Sequence, residues 1–377
     1  MAHGSNFKIG IIGGGPAGCI CAYFLQKQAD VTIFECSKIL KTLLPTGGGR
    51  CNLAHAEFDF RELAANYPRG EKFLYSVFSK FSTSDTLDFF HNIDVDTYIQ
   101  DDMRIFPVSN SSADVREKFI KALNNVSVKS EKVLRINQGE NLTIVTECAS
   151  YNYDFAVIAT GGHASYNICK YLGHKVIPPV KALVGLKTKE NLSDLAGVSV
   201  KINGEDLLFT HNGISGPYVY RISSLNARKK FPYTISLDFC GKIDLQSMLN
   251  QNPHKSVKNL LAELVPKSFA EHLLKELNIP SDTKSHSING KQRDRILELL
   301  DNYKLTIVDT ASGGEVVTCG GVCLDEVNAK TMESKLVNNV YFCGEVLDID
   351  GFCGGFNLQN CWSTGFAAAE AIMEKIR

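Results

Sequence analysis

The chain has 377 residues, more than one domain usually needs, so two or three domains are expected. Hydrophobic residues make up 44% and charged residues 21%, an ordinary globular composition with enough apolar side chains for a large core. Lysine plus arginine (40) nearly balances aspartate plus glutamate (41), and a net charge of -1 argues against a dedicated nucleic-acid binder.

No apolar run is long enough to span a bilayer, and residues 1–6 are too polar to begin a signal peptide. The 12 cysteines are scattered, with no C-x-x-C pair, so zinc and thioredoxin readings are weak and no metal site is expected. They read as small buried thiols in a reducing compartment, which points to the cytoplasm.

In chain order, residues 8–12 (Lys-Ile-Gly-Ile-Ile) form a short apolar run that predicts a buried strand. It runs into Gly-Gly-Gly-Pro-Ala-Gly, a G-x-G-x-x-G turn at Gly13, Gly15 and Gly18 that also holds Pro16 and Ala17. Ala17, Ile20, Cys21, Phe24 and Leu25 then recur with helical spacing and predict one apolar helix face. A second strand follows at 31–34, with Glu35 at its end.

Each part has a physical task. Gly13 permits the turn, Gly15 lets backbone approach a pyrophosphate, and Gly18 lets helix and strand pack closely. The helix N-terminus offers free N–H groups and a positive dipole end to the phosphates. Glu35 stands where a carboxylate accepts from ribose hydroxyls. These features predict a dinucleotide site, and by themselves leave NAD and FAD open.

Further along, residues 46–53 read Thr-Gly-Gly-Gly-Arg-Cys-Asn-Leu, and 155–162 form a buried strand ending Ala-Thr-Gly-Gly. Residues 340–345 (Val-Tyr-Phe-Cys-Gly-Glu) form another such strand, which leads through Gly-Gly-Phe-Asn-Leu-Gln into an alanine-rich closing helix. Between them, residues 181–240 carry short β-type runs at 182–186 and 233–237, with an Asn203-Gly204 turn, and predict an antiparallel β-domain. Residues 256–301 change to helical spacing. Leu260, Leu261, Leu264 and Val265, then Phe269, Leu273, Leu274 and Leu277, then Ile296, Leu297, Leu299 and Leu300, read as the core stripes of a small helical subdomain.

These strings resemble the BaiN-type (YhiN-like) bacterial flavoproteins, NAD(P)/FAD-dependent oxidoreductases to which the aminoacetone oxidases are similar. The resemblance runs in order through 13–18, 47–53, Arg-Ile-Phe-Pro-Val-Ser at 104–109, Leu-Phe-Thr-His-Asn-Gly-Ile-Ser-Gly-Pro at 208–217, and 320–365. It implies an α/β protein whose Rossmann-like FAD-binding domain is formed by both chain ends, with an inserted β-rich domain and a small helical subdomain. The expected boundaries are 1–175 and 321–377 for the FAD domain, 176–252 plus 304–320 for the β-rich substrate domain, and 253–303 for the helices.

The resemblance further implies FAD in an extended pose. Arg50, Cys51 and Asn52 are then expected near the ribityl or pyrophosphate, and Val133 at the adenine through its backbone. Thr160 and Gly161 join the cofactor set, as do Gly344 and Glu345. Gly355, Phe356, Asn357 and Leu358 are expected to set a helix N-terminus against the pyrimidine edge, where a reduced flavin carries negative charge. Arg50 could instead be a structural ion-pair partner, and Cys51 a packing thiol rather than a redox one. Relatives have a longer glycine-rich loop after the Ala-Thr-Gly-Gly turn; here residues 162–174 shorten it.

The expected activity is a flavoenzyme passing a hydride through bound FAD, with NAD(P)H-linked reduction of a small unsaturated substrate as the first reading. Its alternatives are an oxidase of a small amino ketone or amine that makes hydrogen peroxide, and a non-catalytic FAD-binding protein. With one glycine fingerprint, NAD(P)H is expected only as a transient visitor. His211 and Asp348 are the candidate acid–base residues. The expected partner is a small-molecule substrate, with neither nucleic acid nor membrane.

Overall fold

A computed structural model describes residues 7–162, 166–311 and 317–377. It divides into two compact units, one of Met1–Val180 with Val317–Arg377 and one of Lys181–Val316.

The first unit is built on a five-stranded parallel sheet. Its strands lie in the order Val340–Phe342, Phe155–Ile158, Lys8–Ile12, Asp30–Phe34 and Val126–Lys129. Taken by chain position this is the 5-4-1-2-3 order of a nucleotide-binding half, in which the order reverses beside the first strand. The register aligns Ile9 with Phe155 on one side and with Val31 on the other. Four of these strands are continuous apolar runs because both sheet faces are covered. The edge strand Val126–Lys129 has no buried residue, so its sequence lacks that signature.

The first helix, Pro16–Leu25, is buried beyond the single face that spacing predicts: Cys19 and Ala22 are inside as well as Ala17, Ile20, Cys21 and Leu25. The second covering comes from the closing helix, Phe356–Ile376. There Gly365 lies so close that an added Cβ would sit 2.5 Å from Ala17 O. Small residues on both helices permit this contact, and the two chain ends share one core.

Smaller antiparallel sheets lie in the same unit. One pairs Val133–Asn137, Leu142–Thr146 and Ser150–Tyr153; another pairs Ala54–His55, Arg104–Pro107 and Thr97–Ile99.

The second unit holds a six-stranded antiparallel sheet in the order Ser199–Ile202, Glu205–Thr210, Gly213–Ser215, Leu186–Thr188, Tyr303–Thr310, Tyr233–Leu237. Asn203 and Gly204 form its first hairpin turn with φ of 51° and 85°, both left-handed as such a two-residue turn requires. The run at 182–186 is not one strand. Leu183 takes φ 52°, and the chain breaks between a strand ending at Ala182 and one starting at Leu186. Helices Val257–Leu261, Lys267–Glu276 and Gly290–Asp301 place Leu260, Leu261, Phe269, Leu273, Leu274, Ile296 and Leu300 in one core with Val200, Phe209 and Leu305 of the sheet. Each such leucine contributes about 1.5–3 kcal/mol by leaving water. Leu264, Leu277, Leu297 and Leu299 sit only at its margin.

Among the described residues no helix is long and apolar enough to cross a membrane.

Candidate active site: a dinucleotide cradle closed by the C-terminal helix

Open parallel sheets bind ligands beyond the carboxyl ends of their strands, where strand order reverses. That edge carries Gly13 after Ile12, Glu35 after Phe34, Thr160 and Gly161 after the strand ending at Ile158, and Gly344 and Glu345 after Phe342. Hydrogen bonds extend the ladder past the strand ends, from Gly13 N–H to Phe34 O at 2.9 Å and from Ala159 N–H to Ile12 O at 2.8 Å.

The three fingerprint glycines are glycine for different reasons. Gly13 has φ 110°, and an added Cβ would lie 2.3 Å from Ala159 O. At Gly18 the Cβ would lie 2.0 Å from Gly13 O. Both are demanded by the protein itself. Gly15 is not: its φ of -78° and ψ of -174° suit any residue, and an added Cβ would meet only Thr42 Oγ1, at 3.7 Å. The free space over the Gly15 backbone fits a pyrophosphate. The first helix begins there with no side-chain cap, no acidic residue in its first turn, and Pro16 at its start.

Glu35 is held rigidly. Its Oε2 accepts from Gly14 N–H at 2.8 Å, and its Oε1 accepts from Ser37 N–H at 2.7 Å and Ser37 Oγ at 2.9 Å. The remaining acceptor capacity can serve ribose hydroxyls. Glu35 N–H also donates to Lys129 O at 3.0 Å, which sets the chain leading to Val133 alongside it.

The Gly-Gly-Gly-Arg-Cys-Asn segment packs against the closing helix. Asn52, with its amide turned to satisfy both neighbours, donates to Ala54 O at 3.0 Å and accepts from Gly355 N–H at 3.1 Å. The Cys51 thiol is fully buried, and burial pushes its pKa up to about 12, which disfavours the thiolate. Arg50 lies with its guanidinium 4.1 Å from the centre of the Phe106 ring. Among the described residues no carboxylate pairs with it. Its donors are therefore not committed to a carboxylate.

The closing helix starts at Gly355 (φ 100°), where an added Cβ would lie 2.4 Å from Ala54 O. Its first turn has no side-chain cap and no acidic residue, so the N–H groups of Phe356, Asn357 and Leu358 face outward unpaired by the helix. Tyr67 Oη donates to Phe356 O at 2.5 Å. The Asn357 side chain is committed: it accepts from Gly351 N–H at 2.9 Å and donates to Gly351 O at 3.0 Å. The loop before the helix is pinned by Asp350, fully buried and paired through both oxygens with Arg69.

The two acid–base candidates fall in different units. His211 is exposed in the turn between Glu205–Thr210 and Gly213–Ser215, whereas Asp348 is partly exposed in the loop that precedes the closing helix. Sequence spacing overlooked His55, Tyr67 and the Arg69–Asp350 pair. His55 follows Gly-Gly-Gly-Arg-Cys-Asn by three residues, the one local signal that could have marked it. Within the shortened segment after Gly162, residues 163–165 lie outside the described residues.

Residues 7–371 match the family model described as HI0933-like protein Rossmann domain. The chain is 29% identical over 412 residues to the 3-dehydro-bile acid delta(4,6)-reductase of Clostridium scindens, spanning 98% of this chain and 99% of that protein. It is also 29% identical over 407 residues to the ribosomal RNA dihydrouridine synthase of Escherichia coli, spanning 98% of each. Among solved structures, the open conformation of a flavocytochrome c3 fumarate reductase superposes with a TM-score of 0.50 at 11% identity, over 99% of this chain and 79% of that one. At that identity the likeness is one of fold. A match through nearly all of the chain, on a sheet whose switch point carries the glycine turn, means that this protein belongs to the HI0933-like family of Rossmann-fold, FAD-dependent oxidoreductases.

Proposed function

We propose that the enzyme takes a hydride from a transiently bound nicotinamide and passes it, through FAD, to the carbon–carbon double bond of a small unsaturated substrate. The observation that carries this reading is the single glycine fingerprint at Gly13, Gly15 and Gly18. FAD uses it, so a nicotinamide has no second Rossmann cradle and visits only to reduce the flavin. The relatives named as a bile acid reductase and a dihydrouridine synthase support the choice of acceptor, since both names denote adding hydrogen across a double bond.

FAD when bound supplies the two-electron chemistry. The residues supply binding and charge. In this reading the Gly15 backbone and the first-helix N-terminus hold the pyrophosphate, with Arg50 adding a cation, and Glu35 takes the ribose. The Val133 backbone, Thr160 and Gly161, and Gly344 and Glu345 border the rest of the cofactor. The first turn of the closing helix, Gly355 to Leu358, stabilises negative charge at the pyrimidine edge.

A second reading is reduction of a uracil ring in RNA, favoured by the relatives of Escherichia coli and Haemophilus influenzae named as ribosomal RNA dihydrouridine synthases. The net charge of -1 weighs against it.

The experiment is anaerobic mixing of the yellow protein with NADH or NADPH, followed by an enone or by air. Rapid bleaching of the flavin band, then its return on adding enone, is the expected result. Bleaching by aminoacetone but by neither nicotinamide, with hydrogen peroxide formed in air, would establish the oxidase instead. Dihydrouridine missing from ribosomal RNA of a strain lacking the gene, and restored by it, would establish the RNA reading.

A further inference from the structure

We propose that His55 is the proton-holding group of the flavin site, ionising in response to negative charge at the first turn of the closing helix. The inference rests on the FAD placement above, and on neither the substrate nor the hydride donor. His55 lies half-buried on the short strand Ala54–His55. Its ring stacks on Phe356, the first residue of the closing helix, with centroids 4.6 Å apart and planes at 29°. Its Nδ1 is 3.1 Å from Gly354 O. A carbonyl oxygen only accepts, so Nδ1 carries the proton and the neutral ring leaves Nε2 bare.

Its partners set it apart. Among the described residues, His174 and His272 are the other histidines that are not exposed, and each has a carboxylate: Glu326 at 3.1 Å and Asp194 at 3.0 Å. His55 has a neutral carbonyl in that place. The charged groups around it follow from the elements packed on it. Arg104 is its cross-strand partner and is tied to Asp102. The closing helix brings a positive dipole end and no acid in its first turn. The loop before that helix brings the partly exposed Asp348, the exposed Cys353 thiol, and Asp350, which pairs with Arg69. From the helix Thr83–Asn92, Thr83 Oγ1 donates to His55 O, while Asp85 is committed to capping Ser82. Glu57, two residues on, accepts from Asp59 N–H.

Its ring faces a carbonyl, an aromatic ring and no carboxylate among the described residues, so an anion arriving at the first turn of the closing helix would favour the imidazolium. Reduction of FAD by two electrons and one proton leaves one negative charge at its pyrimidine edge. His55 would then take one proton from solvent water at Nε2, leaving hydroxide to the buffer, and the pair would be neutral. No other bond forms or breaks, and the electrons come from the reductant.

The test is nitrogen-15 NMR of histidine-labelled, FAD-loaded enzyme across pH, oxidised and then reduced with dithionite. The H55Q variant assigns the signal by its loss; H55N does so if H55Q fails to fold. An Nδ1–H tautomer in the oxidised enzyme, with a titration midpoint at least about one pH unit higher after reduction, is expected. An Nε2–H tautomer, or the same midpoint in both states, overturns the proposal. The flavin band reports occupancy throughout and no substrate or nicotinamide is present, so failure here leaves the proposed reaction standing. Failure of nicotinamide bleaching would leave His55 standing.

Discussion

Replacing Gly15 with alanine should remove FAD without disturbing the fold. The backbone there is already in a region open to alanine, and the added Cβ would stand 3.7 Å from its nearest neighbour, Thr42 Oγ1. Alanine is a slightly poorer helix N-cap than glycine but stiffens the unfolded chain, so the apoprotein should stay within about 1 kcal/mol of wild type. The new methyl group occupies the space where a pyrophosphate oxygen must approach backbone N–H. Losing one such charge-assisted hydrogen bond costs about 1.5–3 kcal/mol, a roughly 10- to 150-fold weaker Kd. Gly18→Ala is the contrasting variant, because its Cβ would stand 2.0 Å from Gly13 O and must break the strand–helix packing. Flavin fluorescence titration of the apoproteins gives Kd, and thermal unfolding of the same samples gives stability. Wild-type FAD affinity in G15A would refute the reasoning, as would a G15A apoprotein destabilised as much as G18A.

Glu35→Gln should speed FAD dissociation by about 5- to 100-fold, since a carboxylate accepting from Gly14 and Ser37 becomes an amide with one acceptor oxygen. An unchanged dissociation rate in a flavin-release assay would take Glu35 off the ribose. At His272 burial opposes the charged form, but hydrogen bonds to Glu276 and Asp194 outweigh it and raise the pKa above 6.5. Its stabilisation is therefore full below pH 6.5 and lost as pH rises through the raised value, and Asp194→Asn should flatten that dependence in urea unfolding; an unaltered pH profile counts against the pairing. His174 titrates oppositely: burial outweighs Glu326 and lowers its pKa, so its contribution is full above pH 6.5 and falls on acidification. His174→Gln should lessen that acid loss of stability, and a profile identical to wild type would contradict it. Asn360 is fully buried with neither amide atom hydrogen-bonded, so Asn360→Leu should raise stability by about 1–3 kcal/mol in thermal unfolding. A destabilised variant would mean that the amide is satisfied by internal water.

The readable parts of this protein are those whose causes are local. The apolar runs at 8–12, 31–34, 155–158 and 340–342 announce strands covered on both faces, and the Asn203-Gly204 pair announces a hairpin because its two left-handed residues match strand twist. The edge strand Val126–Lys129 was hidden, since a strand with no buried residue has no apolar run to show. The Leu183 break was hidden for a related reason: a left-handed leucine follows from packing, and no propensity marks it.

By itself, then, the sequence determined buried strands, a glycine turn opening a helix and an acid at the end of the second strand, while the meeting of the two chain ends in one domain was what the family resemblance implied. The former follow from apolar runs, from the 3.6-residue helical period and from the backbone freedom of glycine. Only the tertiary structure decided which fingerprint glycine has open space beside its backbone and which two are required by the protein around them. It also decided that the Asn357 side chain is spent on Gly351, and that His55 meets Gly354 across 299 residues of chain. Such contacts arise when distant segments close on one another, and no spacing within a single segment records them.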